Sequence, residues 1–341
     1  MNKLAFLLCL ALFSFLAAAA SVDSCQSLSN PGETYTLSKD VFWNGTYGEC
    51  FNVSADGITL DCQGHWINGT GETYTYGVYN EGFDGVTITN CKIASLDHAI
   101  YWYMGADNGT ISDNTFVSNN YAGLALEFNC TNNQITDNTA SDNGVGISLA
   151  YNCENNLISG NTVQDSGDSC VYVSYLSHNN TIENQQCTNN FFGVYLDDHS
   201  NDNTVLNNII QGGTAGVIIH SESNNNEVGG NTISGTERGI YVEYYSNDNK
   251  IASNVVTDSS WWDVSLDSST SGNTGANTCQ LLEDLGANSI TCSGSAVPTP
   301  TPAIGGATPT NGNGGNGSTS LCCLPAFLLL IPLCFLLFTK N

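Results

Sequence analysis

One short block of residues returns every 23 or 24 positions through most of this chain, and no other feature limits its fold as much. Asn133-Gln134-Ile135-Thr136-Asp137-Asn138 is followed by Asn156-Leu157-Ile158-Ser159-Gly160-Asn161. The apolar centre of the block recurs at Ile88, Ile111, Ile135, Ile158, Ile182, Val205, Val228 and Ile251. A second block keeps the same period. It opens at Gly123, Gly146, Cys170, Gly193, Gly216 and Gly239, and the series closes at Asp263 to Leu266. Both blocks alternate apolar and polar residues, as a strand with one buried face must. Leu124 and Leu126 are expected to point inward, Ala125 and Glu127 outward. Val and Ile dominate the inward places, which favours strands, and Asn, Gly, Ser and Asp separate them as turn formers. No stretch of the repeats has a sustained helical period. A leucine-rich repeat needs leucine at several fixed places and often a helix per turn; neither is present. The predicted fold is all-β: a right-handed parallel β-helix of nine or ten coils.

A single coil cannot bury its own apolar face, so coils stack at ~4.8 Å and equivalent residues form columns along the axis. Phe116, Ala140, Val163, Cys187, Ile210, Ile233 and Val256 form a core ladder. Asn114, Asn138, Asn161, Gln185, Asn208, Asn231 and Asn254 form an amide ladder, read as structural because stacked amides satisfy turn backbone groups. Cys130 and Cys153 sit in equal register one coil apart, within disulfide reach, and are expected to bridge. Cys62 with Cys91, Cys25 with Cys50, Cys170 with Cys187 and Cys279 with Cys292 are the other pairs. Tyr35 to Cys50 and Cys279 to Cys292 are read as end caps.

The two ends of the chain are not part of this repeat. Lys3, an apolar run from Leu4 to Leu16 and four alanines make residues 1–20 a secretory signal peptide. Residues 21–292 are the β-helix. Residues 293–320, rich in Pro, Thr, Gly, Asn and Ser, read as a flexible stalk. Residues 321–338 carry no charge and are long enough for a membrane-spanning anchor, with residues 339–341 as a cytoplasmic tail; a cleaved lipid-anchor signal at Gly317-Ser318 is the rival. Ten cysteines remain in the exported part, an even number that an oxidising compartment would pair. Glycan acceptor sequences occur at Asn44, Asn52, Asn68, Asn108, Asn129, Asn179 and Asn316. The formal net charge is −26. Between residues 21 and 320 all 32 acids face only Lys39, Lys92, Arg238 and Lys250. Such a surface repels nucleic acid and acidic polysaccharides unless cations intervene.

Gly57-Ile58-Thr59-Leu60-Asp61-Cys62-Gln63-Gly64-His65-Trp66-Ile67-Asn68-Gly69, with Gly85-Val86-Thr87-Ile88-Thr89-Asn90-Cys91 after it, resembles the opening of NosD-like right-handed β-helix proteins, in particular archaeal secreted surface proteins of that group. The resemblance covers about Cys50 to Asp267 and implies the fold. It does not imply one activity, because lyases, hydrolases, epimerases, binding proteins and adhesins share the repeat. A copper role of the NosD kind finds no matching residues: the chain has two methionines, and its cysteines are spoken for. His199 and His220, on adjacent coils, are the nearest approach to a metal site.

Two outward columns share one sheet. One holds Tyr79, Tyr101, Ala125, Ser148, Tyr172, Tyr195, Ile218, Tyr241 and Ser265. The other holds Glu81, Tyr103, Glu127, Ala150, Ser174, Asp197, His220, Glu243 and Asp267. Tyr172, Tyr195 and Tyr241 therefore flank Asp197, His220 and Glu243. Flat aromatic faces stack on sugars, and carboxylates accept their hydroxyl protons, so these residues are the candidate carbohydrate-binding set. Stacked Tyr on an exposed strand also serves the sheet itself. As an enzyme, the chain would use Asp197, His220 and Glu243 as its catalytic group. Asp197 and Glu243 lie two coils apart, near the wide separation of inverting glycosidases; Glu243 and Asp267, one coil apart, are closer to retaining geometry. Asp197-Asp198-His199 partly echoes polygalacturonases, but their Gly-His-Gly and Arg-x-Lys are missing, as is the basic residue of pectate lyases. The expected partner is a carbohydrate, with the membrane reached through the C-terminal anchor. Calcium is the one cofactor such acids admit; no other is implied. The main reading is a cell-surface protein that binds carbohydrate or serves as envelope structure; the alternative is a polysaccharide hydrolase, lyase or epimerase.

Overall fold

The computed structural model describes residues 19–294. Most of the expected leader, the stalk beyond residue 294, the anchor at 321–338 and the tail lie outside the described residues. Among the described residues no helix is long and apolar enough to cross a membrane.

The chain winds as a right-handed parallel β-helix of about eleven turns. A typical coil passes through Gln134–Thr136, Thr139–Ser141 and Val145–Ala150; the next passes through Leu157–Ser159, Thr162–Gln164 and Ser169–Ser174. Each strand pairs in parallel with its counterpart one coil away, Ile135 with Ile158 and Ala140 with Val163. The result is three sheets of 13, 10 and 12 strands. The strands of five to seven residues lie mostly in the 12-stranded sheet, here the broad sheet.

The segments expected to be caps are coils themselves. Thr34–Leu37 pairs with the strand at Thr59–Asp61, and Gly48–Val53 pairs with Thr75–Glu81. At the other end Leu282–Asp284 and Ala287–Cys292 each add a strand. The turn count rises above nine or ten for that reason. The outer coils depart from the 23-residue spacing: Cys62 and Cys91, stacked on neighbouring coils, are 29 residues apart. A fixed period does not find them.

Inward columns fill the interior. Phe116, Val163, Ile233 and their neighbours are fully buried and follow one another in register. The recurrent glycine at the start of the broad strand has a steric cause. A Cβ on Gly146 would meet Val163 Cγ1 at 2.4 Å and the Cys170 carbonyl at 2.6 Å. One coil later Cys170 stands where the glycine would be, and it joins Cys187, the next member of the Val163 column, with Cα atoms 5.7 Å apart. The bridge turns the close approach into a bond. Cys25–Cys50, Cys62–Cys91 and Cys279–Cys292 are also joined, with Cα separations of 4.5, 4.6 and 5.0 Å. Four disulfides are the mark of an exported chain.

Cys130 and Cys153 differ from the expectation. They are stacked and buried as two thiols, without a bond. Their column explains it. One coil at a time it continues as Ser177, Ser200, Ser223 and Ser246. Ser177 Oγ donates to the Ser174 carbonyl three residues back at 2.7 Å, and Ser200 Oγ donates likewise to Asp197 at 2.6 Å. Cys130 Sγ donates to the Glu127 carbonyl at 3.3 Å and Cys153 Sγ to Ala150 at 3.2 Å. Each thiol fills a hydroxyl's place in the turn.

The amide ladder closes the hydrogen-bond accounting of another turn. The Asn138 side-chain oxygen accepts both the backbone N–H and the side-chain amide of Asn114, each at 3.0 Å. The Asn138 amide in turn donates to the Ile111 carbonyl at 2.9 Å. The pattern repeats through Asn161, Gln185, Asn208, Asn231 and Asn254, and reaches Asn277. Two more ladders stand beside it. Asn133, Asn156, Asn180, Asn203, Asn226 and Asn249 form a second buried column, and Asn119 with Asn143 a short third.

Truncating a ladder member strands several buried groups at ~1–3 kcal/mol each. Asn161→Ala should therefore lower unfolding free energy by more than about 3 kcal/mol in a denaturant titration, while Thr139→Ala on the exposed surface should change it by less than about 0.5 kcal/mol. Peptide mapping after alkylation in denaturant, without reduction, should recover four bridges with Cys130 and Cys153 both alkylated; a Cys130–Cys153 crosslink would refute the thiol assignment.

Candidate functional site

The broad sheet sets the candidate residues side by side because its register is unbroken. Tyr172 pairs with Tyr195, Tyr195 with Ile218, and Ile218 with Tyr241. Asp197, His220 and Glu243 each follow the last residue of their strand by one place. Their backbone N–H groups still bond the preceding coil, Asp197 to Val173, His220 to Leu196 and Glu243 to Ile219.

His220 bridges the two acids. Its Nδ1 lies 2.6 Å from Asp197 Oδ1, a hydrogen bond, and its Nε2 lies 3.9 Å from Glu243 Oε1, which is not one. The three side chains are about one-fifth exposed. Burial works against a charged imidazole here, but the Asp197 hydrogen bond and the charges of Asp197, Glu243 and Asp198 outweigh it, and the pKa is raised above the ordinary value. Phenols complete the group. The Tyr172 hydroxyl donates to Asp197 Oδ2 at 3.1 Å, and the Tyr241 hydroxyl bonds Glu243. Burial, then the neighbouring carboxylates, push the phenols of Tyr172, Tyr195 and Tyr241 far above their usual range. They are hydrogen-bond donors at neutral pH, not phenolates.

The arrangement can move a proton at one place. Asp197 fixes the imidazole through Nδ1. Nε2 faces Glu243 with a gap, so a substrate oxygen or carbon approaching there meets an imidazole nitrogen and a carboxylate together. Asp267 is not a spare partner for Glu243: its Oδ1 accepts from Ser269, and its Oδ2 accepts the Tyr244 N–H. Arg238 lies across Tyr241 at 4.3 Å and Trp261 at 4.9 Å, the one guanidinium near the group.

The rings of Tyr172, Tyr195 and Tyr241 are half-buried rather than laid open, and Tyr172 and Tyr195 are tilted at 48°. The exposed rings stand one column further out, at Tyr151, Tyr175 and Tyr244. That column was legible from the register, as the residue after the acidic one, but composition did not single it out. A second aromatic cluster was also missed. Tyr76 stacks on Tyr101 at 5.2 Å, the Tyr101 hydroxyl donates to Glu127 at 2.8 Å, and His98 is buried against Tyr101 and Tyr121. Burial pushes the Glu127 carboxyl up, against the pull of Tyr101. His199 does not join His220; its Nδ1 is 2.7 Å from Asp198 and its Nε2 3.3 Å from Glu222. Among the described residues no three His, Cys, Asp or Glu are placed to hold a metal ion.

The fold and this acid-lined sheet define a class, the parallel β-helix proteins. The chain belongs to the right-handed β-helix region family, whose model matches residues 29–186, 76–233, 150–256 and 175–290 in overlapping segments. No curated protein sequence matches it. Solved structures do, at the level of fold. A mutant DFA-IIIase from Arthrobacter chlorophenolicus A6 in complex with DFA-III is 16% identical, with a TM-score of 0.64 over 84% of this chain and 87% of that one. The A-module of the Azotobacter vinelandii mannuronan C-5 epimerase AlgE6 is 15% identical, with a TM-score of 0.66 over 82% and 88%. The periplasmic alginate epimerase AlgG is 18% identical, with a TM-score of 0.57 over 77% and 76%.

The raised pKa of His220 gives a signed expectation. Folding stabilises the imidazolium, so this contribution is complete below the unfolded pKa of about 6.5 and fades as pH rises through the folded value. An NMR titration should place the His220 midpoint above that of an exposed histidine. In Asp197→Asn it should fall, and an unchanged midpoint would mean that Asp197 does not set it.

Proposed function

We propose that this exported β-helix acts on a polysaccharide, with His220 as the proton carrier, Asp197 as the group that orients it, and Glu243 as the second carboxylate at the reacting centre. The observation that carries this reading is the asymmetry at His220: Nδ1 is committed to Asp197 at 2.6 Å, and Nε2 is left open toward Glu243 at 3.9 Å. A merely structural histidine on an acidic surface has no need of one open ring nitrogen beside a carboxylate. Tyr172, Tyr195 and Tyr241 supply ring surface and hydroxyl donors for sugar hydroxyls. Support for the general kind of activity comes from the fold neighbours, which are named for work on carbohydrates: DFA-III, mannuronan and alginate. At 15–18% identity they lend the scaffold and no residue roles.

The substrate is a neutral polysaccharide, or an acidic one whose charge is met by cations, because the chain carries 32 acids against 6 Lys and Arg, and Arg238 is the base near the site. The residues 1–20 leader would export the chain, and the apolar run at 321–338 would hold it at the membrane surface. A second reading keeps the same face as a binding surface without turnover; the hydroxyl bonds of Tyr172 and Tyr241 to the two acids favour it, since such bonds stabilise a fixed face. The NosD-type copper role rests on the Gly57 to Gly69 resemblance alone.

Glu243→Gln and His220→Asn separate the two. For an enzyme, each should keep binding and lose about 10²–10⁴-fold in turnover. The readout is a panel of polysaccharides followed by reducing ends, unsaturated products and sugar-ring NMR. If the parent turns over nothing, and both variants change affinity only, the protein is a binding surface.

A further inference from the structure

The turn that follows the broad sheet has an unusual backbone. Two consecutive residues in each coil take the left-handed conformation: Phe128 and Asn129, Tyr151 and Asn152, Tyr175 and Leu176, Asp198 and His199. For residues other than glycine each such conformation costs about 1–2 kcal/mol. Successive side chains diverge there, and stacking turns the divergence into a groove along the helix axis. Its volume is about 580 Å³. One wall is aromatic. Phe128, Tyr151 and Tyr175 stack at 4.4 and 4.6 Å with planes within 10° and 9°. The other wall is mixed: Asn152 Nδ2 donates to Asn129 Oδ1 at 2.8 Å, Leu176 follows as an exposed apolar side chain, and the Asp198–His199 pair stands at the end.

The stack stops at Tyr175. The next coils carry Asp198 and Ser221 in its place, and a ring returns only at Tyr244. Tyr175 is 41% exposed and pairs with an aromatic ring on the Tyr151 side alone. The step at Tyr175 opens beside the reacting group, because Asp197 precedes Asp198 in the chain and Tyr244 touches His220 at a ring distance of 4.7 Å.

We propose that this groove is a saccharide-binding subsite, in which one sugar of a glycan stacks on the open face of Tyr175 and the neighbouring unit reaches toward His220. The lining has the chemistry of that ligand. A sugar ring offers an apolar C–H face and a rim of hydroxyls, and the groove offers a flat ring on one side and amides with an ion pair on the other. A peptide would leave its backbone groups unpaired against the aromatic wall. The inference rests on the saccharide reading above and names residues outside its catalytic group.

Calorimetric titration of the folded ectodomain with cellohexaose, mannohexaose, inulin and oligomannuronate in calcium tests it. At least one probe should bind the parent, and longer oligomers should bind better than disaccharides. Tyr175→Ala should weaken that binding about 3- to 10-fold, Tyr175→Phe should keep it within twofold, and Leu176→Trp, which fills the groove and removes no packing, should weaken it at least tenfold. Thr139→Ala, exposed on the 10-stranded sheet, should bind as the parent does. The proposal is overturned if no probe binds, if Leu176→Trp and Tyr175→Ala bind as the parent, if ultracentrifugation shows a dimer that Tyr175→Ala abolishes, or if a glycan on Asn129 fills the groove. Loss of binding in Tyr175→Ala together with full turnover in His220→Asn would uphold the groove and refute the reacting centre instead.

Discussion

Axial stacking of one coil on the next is the constraint on which everything else in this molecule depends. Parallel pairing at strand spacing puts each buried turn directly over an identical turn, so any polar group left unsatisfied in one coil is left unsatisfied in all of them. The asparagine columns meet that demand. Each side-chain oxygen accepts from the coil before it, and each amide but that of Asn226 donates to a carbonyl of the same preceding coil, as Asn138 does with Asn114 and Ile111. Ser177, Ser200 and the two thiols meet the same demand in a different turn. The core can be plain Val and Ile because its polar accounts are closed at the corners.

A scaffold that repeats can make a site only where it departs from repetition. The broad sheet offers the same outward places on every coil, and the column from Tyr79 to Ser265 spends them mostly on Tyr, Ser and Ala. Three successive coils place Asp197, His220 and Glu243 in one column, and the strand spacing brings them to contact distance. The neighbouring column behaves likewise. Phe128, Tyr151 and Tyr175 repeat, Asp198 breaks the run, and an aromatic face is left open next to the histidine. Shape and chemistry at this edge come from the order in which a few positions change, while the backbone beneath stays the same.

Much of this was legible before any coordinates. The Ile and Val columns, the Asn114 to Asn254 ladder and the juxtaposition of three tyrosines with two acids and a histidine follow from counting in steps of 23 and 24. The outer coils did not, because their spacing is irregular and their strands are as short as the two residues of Val41–Phe42. The Cys130–Cys153 register was right and the bond was not, since equal register brings two sulfurs together without deciding whether each already has a partner in its own turn. Of the cluster of Tyr76, His98, Tyr101 and Glu127, only Tyr101 and Glu127 belong to the two outward columns, and burial, not identity, sets the cluster apart.

The sequence by itself determined the period, the alternation within each strand, the charge, and the residues that share a column, because a stacked solenoid turns position modulo the repeat into position in space. Tertiary structure decided what those columns present. It tilted Tyr172 and Tyr195 into the sheet and left Tyr175 exposed, gave His220 one bound and one open nitrogen, and set the left-handed turns that open the groove. These depend on backbone angles at the corners and on which neighbour reaches a shared hydrogen-bond partner first. A column list records adjacency, whereas side-chain direction and burial exist only once three sheets close around one core.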